Sequence, residues 1–163
     1  MTHLTLAALL LAPAADPKAT DYAPLFPDLG GMYTRLVSKP EVGKGEKPDA
    51  YKQTASYSWN GGRYETLTVT IARDPAFKEK YSAEAMKKGK TPPTEVEVGK
   101  KRAYLWEPDT GGKFDAVSRR LVVVLAADKA VVVEQAGMGT DLEKWAADFD
   151  LAKMEKALDA PPK

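Results

Sequence analysis

Glu95 and Glu97 stand two residues apart in a run that alternates Val with Glu. On a strand that spacing puts both carboxylates on one face, about 7 Å apart. Paired carboxylates at ~5–9.5 Å can run glycoside hydrolysis. The same alternation is also the pattern of a strand with one face in water, and no neighbouring feature points to a raised carboxyl pKa. The pair therefore reads as a solvated face, and no catalytic residue is assigned. The densest basic cluster is Lys87, Lys88 and Lys90 with Lys100, Lys101 and Arg102. Brought together, these six are the candidate binding residues for an anionic glycan, phosphate or acidic lipid surface. Part of the cluster has a structural reason as well, since lysines at a helix C-terminus offset its dipole.

Other local patterns are weaker. Asp109 to Asp115 (DTGGKFD) flanks a Gly-Gly turn with two carboxylates, but lacks the third acid and the closing Glu of a calcium loop, so it reads as a turn. Gly43-Lys44-Gly45 and Gly99-Lys100-Lys101 lack the spacing and the strand–loop–helix setting of a phosphate loop. Trp59 and Arg63, beside Asn60-Gly61-Gly62, suit a cation–π pair at a hairpin end.

What is absent constrains more. The 163 residues hold no cysteine and one histidine, His3. Thiolate nucleophiles, disulfides and Cys-ligated metals are excluded. His3 lies in a short apolar stretch, His3 to Ala12, followed by Ala12-Pro13-Ala14 and polar Asp16-Pro17-Lys18. That stretch is too short for the roughly 20 residues a membrane span needs, and reads as a signal peptide over residues 1–15. Lys and Arg are missing ahead of it, a departure from the usual leader, and no cysteine follows to carry a lipid. Cleavage would remove the only imidazole, and with it Ser-His-Asp and Cys-His catalysis and every His-ligated metal site. The expectation is a secreted or periplasmic protein with no metal site, no cofactor and no transmembrane segment. Net charge is +1, from 24 Lys and Arg against 23 Asp and Glu, which supplies no broad field for nucleic acid.

The elements that must position these residues follow from periodicity. Residues 16–31 form an irregular lead-in with room for one helical turn, pinning Leu25 and Phe26; residues 32–158 form one α+β domain; residues 159–163 are a frayed tail. Met32 to Val37 suits a first strand, and Ser38 to Asp49 a polar loop. Tyr51 to Arg73 reads as a hairpin whose three-residue loop, Asn60-Gly61-Gly62, sets Trp59 opposite Arg63 and Ala55 opposite Leu67. Its second face then carries Thr54, Ser56, Ser58, Tyr64, Thr66, Thr68 and Thr70, a solvated face or a hydroxyl platform for a ligand. Asp74-Pro75 opens a helix carrying Phe77, Tyr81 and Ala85, with a restart at Ser82 and an end at Gly89. Thr94 to Trp106 is a third hairpin around Gly99-Lys100. Leu121 to Val133 is a central hairpin, apolar on both faces, turning at Asp128-Lys129 with Leu125 facing Val132 and Val124 facing Val133. Thr140 to Glu143 is a capping box, and the helix after it breaks near Asp150.

This order predicts an antiparallel sheet of about six or seven strands flanked by helices, with a cystatin-like sheet wrapped on a helix as the competing topology. The Val98-Gly99-Lys100 turn, Ala103-Tyr104-Leu105-Trp106 and the valine hairpin resemble the PsbP-like α/β sandwich, named for an extrinsic photosynthetic subunit. That resemblance implies a non-enzymatic extracytoplasmic accessory or binding module. The expected function is such a module, with an unidentified protein or anionic ligand of the cell envelope as partner and no nucleic acid. The alternative is a carboxylate-dependent extracytoplasmic hydrolase.

Overall fold

A computed structural model describes residues 21–31, 33–43, 49–61, 65–88, 91–107, 118–137 and 141–159. Eight strands form one sheet: β1 (Tyr33–Val37), β2 (Glu41–Val42), β3 (Tyr51–Trp59), β4 (Glu65–Arg73), β5 (Thr94–Val98), β6 (Lys101–Trp106), β7 (Ser118–Ala126) and β8 (Lys129–Gly137). Their order is β1-β3-β4-β8-β7-β6-β5, with β2 also paired to β3, and every pairing is antiparallel. Four helices, α1 (Phe77–Lys80), α2 (Ala83–Lys87), α3 (Leu142–Ala147) and α4 (Leu151–Ala157), pack on it. The fold is thus an α+β sandwich. Its helices are four to seven residues long, so none among the described residues is the long helix a cystatin-like sheet would wrap. None is long and apolar enough to cross a membrane either.

Alternation divides the sheet into two faces with different covers. On the first, Ala55, Tyr57, Leu67, Val69, Ile71, Leu121, Val123, Val131 and Val133 meet Leu142, Phe149, Leu151, Met154 and Leu158 of α3 and α4. The lead-in joins them through buried Tyr22 and Phe26, next to a single 3-10 turn at Ala23–Leu25. On the second face a smaller cluster, Tyr104, Val122, Ala130 and Val132, packs under Phe77, Tyr81 and Met86 of the α1–α2 segment. Full burial of one such Val or Leu contributes about 1.5–3 kcal/mol, so each cover holds its helix pair in place.

Polar anchors set the lead-in. The Gln53 side chain, 2% exposed, accepts from Tyr22 N at 2.6 Å and donates to Asp21 Oδ1 at 2.8 Å and Ser38 O at 3.0 Å. Those bonds, with one from Ala23 N, hold the Asp21 carboxyl below the usual carboxylate range. At the other terminus α4 is held by Tyr51 Oη, which donates to Leu158 O at 3.4 Å, and by buried Lys129, which pairs with Asp159.

Local details differ from the sequence reading where tertiary contacts intervene. The β3–β4 hairpin pairs Ala55 with Val69 and Tyr57 with Leu67, two residues out from the three-residue-loop register. The Trp59 indole lies over Gly61, with its Nε1 where a Cβ on that glycine would fall. Because the shift is even, the same residues share each face. Trp59 packs edge-on against Tyr33 at 5.0 Å, while Arg63 and Tyr64 lie outside the described residues. In the central hairpin the turn is Ala127-Asp128, Leu121 pairs Val133, and a bulge interrupts the register between Val124 and Ala126. Leu125 therefore joins Val131 and Val133, not Val132, because Lys129 is a buried strand residue and Asp128 turns out to bind Arg73 at 2.7 Å. Two residues of the predicted 38–49 loop, Glu41 and Val42, add a short strand. Asp141 caps α3 by accepting from Lys144 N, in place of Thr140, which lies outside the described residues. Asp74 accepts from Ala76 N ahead of α1, and Ser82 and Asp150 cap α2 and α4 as the pattern predicts.

Two outcomes follow. Gly99 and Lys100 both have positive φ, 54° and 65°, in the tight β5–β6 turn. A Cβ on Gly99 would also press Leu151 at 3.1 Å. Gly99→Val should lower unfolding free energy by about 1–3 kcal/mol in a urea titration. Burial pushes the Tyr57 phenol from 10.0 up to about 12, partly opposed by Arg35, and burial with the Tyr22 hydroxyl raises Tyr51 as well. Both phenols then keep their protons in the folded state after the unfolded chain has begun to lose its own. Their contribution is complete below pH ~10 and is lost as the pH climbs toward 12. Urea midpoints should be level from pH 8 to 9.5 and fall above pH 10, less steeply in Tyr57→Phe.

Candidate functional site

The strands that carry hydroxyls and the strands that carry valines share the second face side by side. Thr54 and Ser56 of β3 pair with Thr70 and Thr68 of β4, and β4 pairs with β8, where Val132 stands opposite Thr70. Valine is good cover for helices, and α1 and α2 lie over that half. The hydroxyl half is half-buried or exposed. Leu36 of β1, opposite Ser56, is 74% exposed at its margin.

At the boundary lies an open groove of about 460 Å³. Thr54, Thr70, Ala72 and Val132 make its floor, Phe77, Lys80 and Tyr81 of α1 one wall, and Glu41, Val42 and Lys52 the other. Arg73, Asp74, Arg120 and Glu134 complete the lining. The sequence places the wall there for simple reasons. Asp74-Pro75 stops β4 and turns the chain onto the second face, and Phe77 and Tyr81, four apart, bind it down with rings 5.1 Å apart.

Most charges in the groove already have partners. Lys52 pairs with Glu41 at 3.2 Å, and Arg73 with Asp128 at 2.7 Å, which favours the charged guanidinium. Asp74 Oδ1 accepts from Ala76 N at 2.9 Å. Thr54 and Thr70 hydroxyls bond each other at 3.0 Å, and of their two protons one remains for a ligand. Arg120 stacks over Trp106 at 5.8 Å and approaches Glu134 at 3.6 Å, beyond hydrogen-bond range, so its Nε is shielded from water without an acceptor. Lys80 sits 5.4 Å from the Tyr81 ring centroid and 5.9 Å from that of Phe77, and forms no ion pair among the described residues. The carboxylates of the groove are each bound to or beside a donor.

A second cavity, of about 440 Å³, lies between the lead-in and the α3–α4 junction. Among its polar groups Arg35 Nη1 donates to Phe26 O at 3.0 Å, Asp28 accepts from Gly30 N and Asp150 caps α4. No group of three or more His, Asp or Glu suited to a metal occurs among the described residues.

Among the described residues the basic cluster is divided, because Lys101 and Arg102 go to opposite faces of the sheet. Lys101 Nζ reaches toward α4, to Glu155 at 2.6 Å and Leu125 O at 3.1 Å. The next residue, Arg102, points to the opposite face and lies 5.7 Å from the Tyr104 ring. Lys100 is a turn residue, Lys87 and Lys88 are exposed at the end of α2, and Lys90 lies outside the described residues, as do Gly89 and Asp109 to Asp115. Glu95 and Glu97 are exposed on the edge strand β5, opposite Tyr104 and Arg102 and outside the groove. Lys80 and Arg120 were missed because their neighbours in space come from α1, β6 and β8; the ring spacing around Lys80 was the one signal in the sequence.

Comparison of the chain with protein-family models, with curated proteins and with solved structures finds no match in any of the three. Within the cluster itself, Lys101→Met should cost about 1 kcal/mol in urea unfolding, since it strips a part-buried bridge from α4. Lys87→Gln and Lys88→Gln should change stability by less than about 0.5 kcal/mol.

Proposed function

We propose that this chain is a non-catalytic binding module acting outside the cytoplasm, and that it takes its ligand in the groove between α1 and the hydroxyl half of the second face. The observation that carries the reading is the shape and polarity of that groove: an open trough with an apolar and hydroxyl floor, one rim carrying the Glu41–Lys52 pair and the other Lys80, and donors left without acceptors. Such concave sites with a few convergent polar groups are the usual form of small-ligand sites. The floor is made by interior strands, whose backbone N–H and C=O groups are spent in the ladder, so recognition falls to side chains alone. The leader pattern at residues 1–15 supports export, and the PsbP-like resemblance, though it rests on element order, agrees with a non-enzymatic role.

The hydrolase alternative needs two facing carboxylates and gains no support from Glu95 and Glu97, which lie exposed on an edge strand. The test is native mass spectrometry of the protein isolated from its own envelope fraction. The spectrum should show a chain lacking its first 14 or 15 residues and carrying a non-covalent adduct. Thr70→Trp, which fills the floor, should lose the adduct while keeping its melting temperature within about 5 °C. An adduct that persists in a folded Thr70→Trp would place the site elsewhere. A hydrolytic activity lost in Glu95→Gln or Glu97→Gln would replace the module by an enzyme.

A further inference from the structure

We propose that the groove contains an anion subsite built from Arg120 and Lys80, which takes the carboxylate or phosphate head of a small polar molecule; the inference rests on the groove being the ligand site. The argument is one of uncommitted donors. Glu41 is occupied by Lys52 and Asp74 by the Ala76 amide, so these acids offer little to an incoming cation. Arg120 carries five N–H donors, and no hydrogen bond among the described residues uses any of them. Its nearest acid, Glu134, is at 3.6 Å, and Nε is already out of contact with water. Nε is closed to water and so to a ligand oxygen, and the anion meets the terminal Nη groups of the guanidinium instead.

The guanidinium is held over the Trp106 indole, with 41% of the side chain exposed. A planar group backed by a ring presents its edge as a fork, the geometry that matches the two oxygens of a carboxylate or phosphate. Lys80 supplies a second positive charge from the α1 wall, steadied by the Phe77 and Tyr81 rings. The free hydroxyl proton of the Thr54–Thr70 pair adds a neutral donor on the floor for another ligand oxygen. A peptide strand is not favoured, because the floor has no unpaired backbone to extend.

The experiment is a titration followed by amide chemical shifts, using D-glucuronate, D-glucose 6-phosphate and D-glucose at equal ionic strength. The two anions should move the Thr54, Thr70, Ala72 and Val132 amides and glucose should not; whichever anion is tighter identifies the head group. Arg120→Lys keeps the charge but removes the fork, and should weaken the tighter anion about tenfold. Lys80→Gln should weaken both several-fold, with thermal melts reporting that each variant is folded. If glucose moves the same amides as strongly as the anions, the groove stands as a binding site and the anion subsite falls. If Arg120→Lys binds like the parent, the fork is wrong. If no probe moves those amides, both the subsite and the groove reading are overturned.

Discussion

The sheet is organised by one requirement: β8 is apolar on both of its faces. Ala130, Val131, Val132 and Val133 are consecutive and all buried, so water must be kept from both sides of the same strand. Alternation sends Val131 and Val133 to one face and Ala130 and Val132 to the other. A single layer of helix cannot serve both. The chain answers with α3 and α4 after β8 and with α1 and α2 on the way from β4 to β5. Because β4 is central and β5 is an edge, the segment between them has to cross the second face. It does so over the valine strands and leaves the hydroxyl strands beside it. The groove is the margin of that incomplete cover.

The first face is closed more thoroughly, and polar groups decide how. Lys101 and Lys129, at the starts of β6 and β8, each reach a carboxylate of the C-terminal segment, Glu155 and Asp159. Tyr51 adds a bond to Leu158 O. Three contacts, one on the short helix and two on the residues that follow it, compensate for its length, since seven residues form no stable helix alone. Gln53 does the same for the lead-in. A buried amide is costly unless satisfied, and here its oxygen and nitrogen both find partners that only the folded lead-in and Ser38 can offer.

The contrast between the two faces bears on function. On the first face Lys101 and Lys129 are matched with Glu155 and Asp159, which hold the C-terminal segment to the sheet. On the second face the pairs at the rim are matched, while Arg120 rests on the Trp106 ring with Glu134 at 3.6 Å and Lys80 rests on the Phe77 and Tyr81 rings. Rings hold a cation in place without neutralising it. That arrangement keeps both cations oriented along the groove.

Much of this was written in the sequence as local pattern. Absence of cysteine, the one histidine, the alternation of β3 and β4, the Gly99-Lys100 turn, the two-sided valine hairpin, the stripes Leu142/Trp145/Phe149 and Leu151/Met154/Leu158, and the break at Asp150 need only neighbours along the chain. Those determined an antiparallel sheet with helices on both sides, and which residues of β3 and β4 share a face. Register was not among them. The β3–β4 loop widened because Trp59 lies over Gly61 and against Tyr33, and the valine hairpin slipped because Lys129 found Asp159 and Asp128 found Arg73. The site was decided in the same way. Lys100, Lys101 and Arg102 adjoin in sequence, yet period two sends Lys101 and Arg102 to opposite faces, while Lys80 and Arg120, forty residues apart, line one groove. Alternation is local to the chain; only the folded sheet determines which strands lie side by side, and the groove is made of that adjacency.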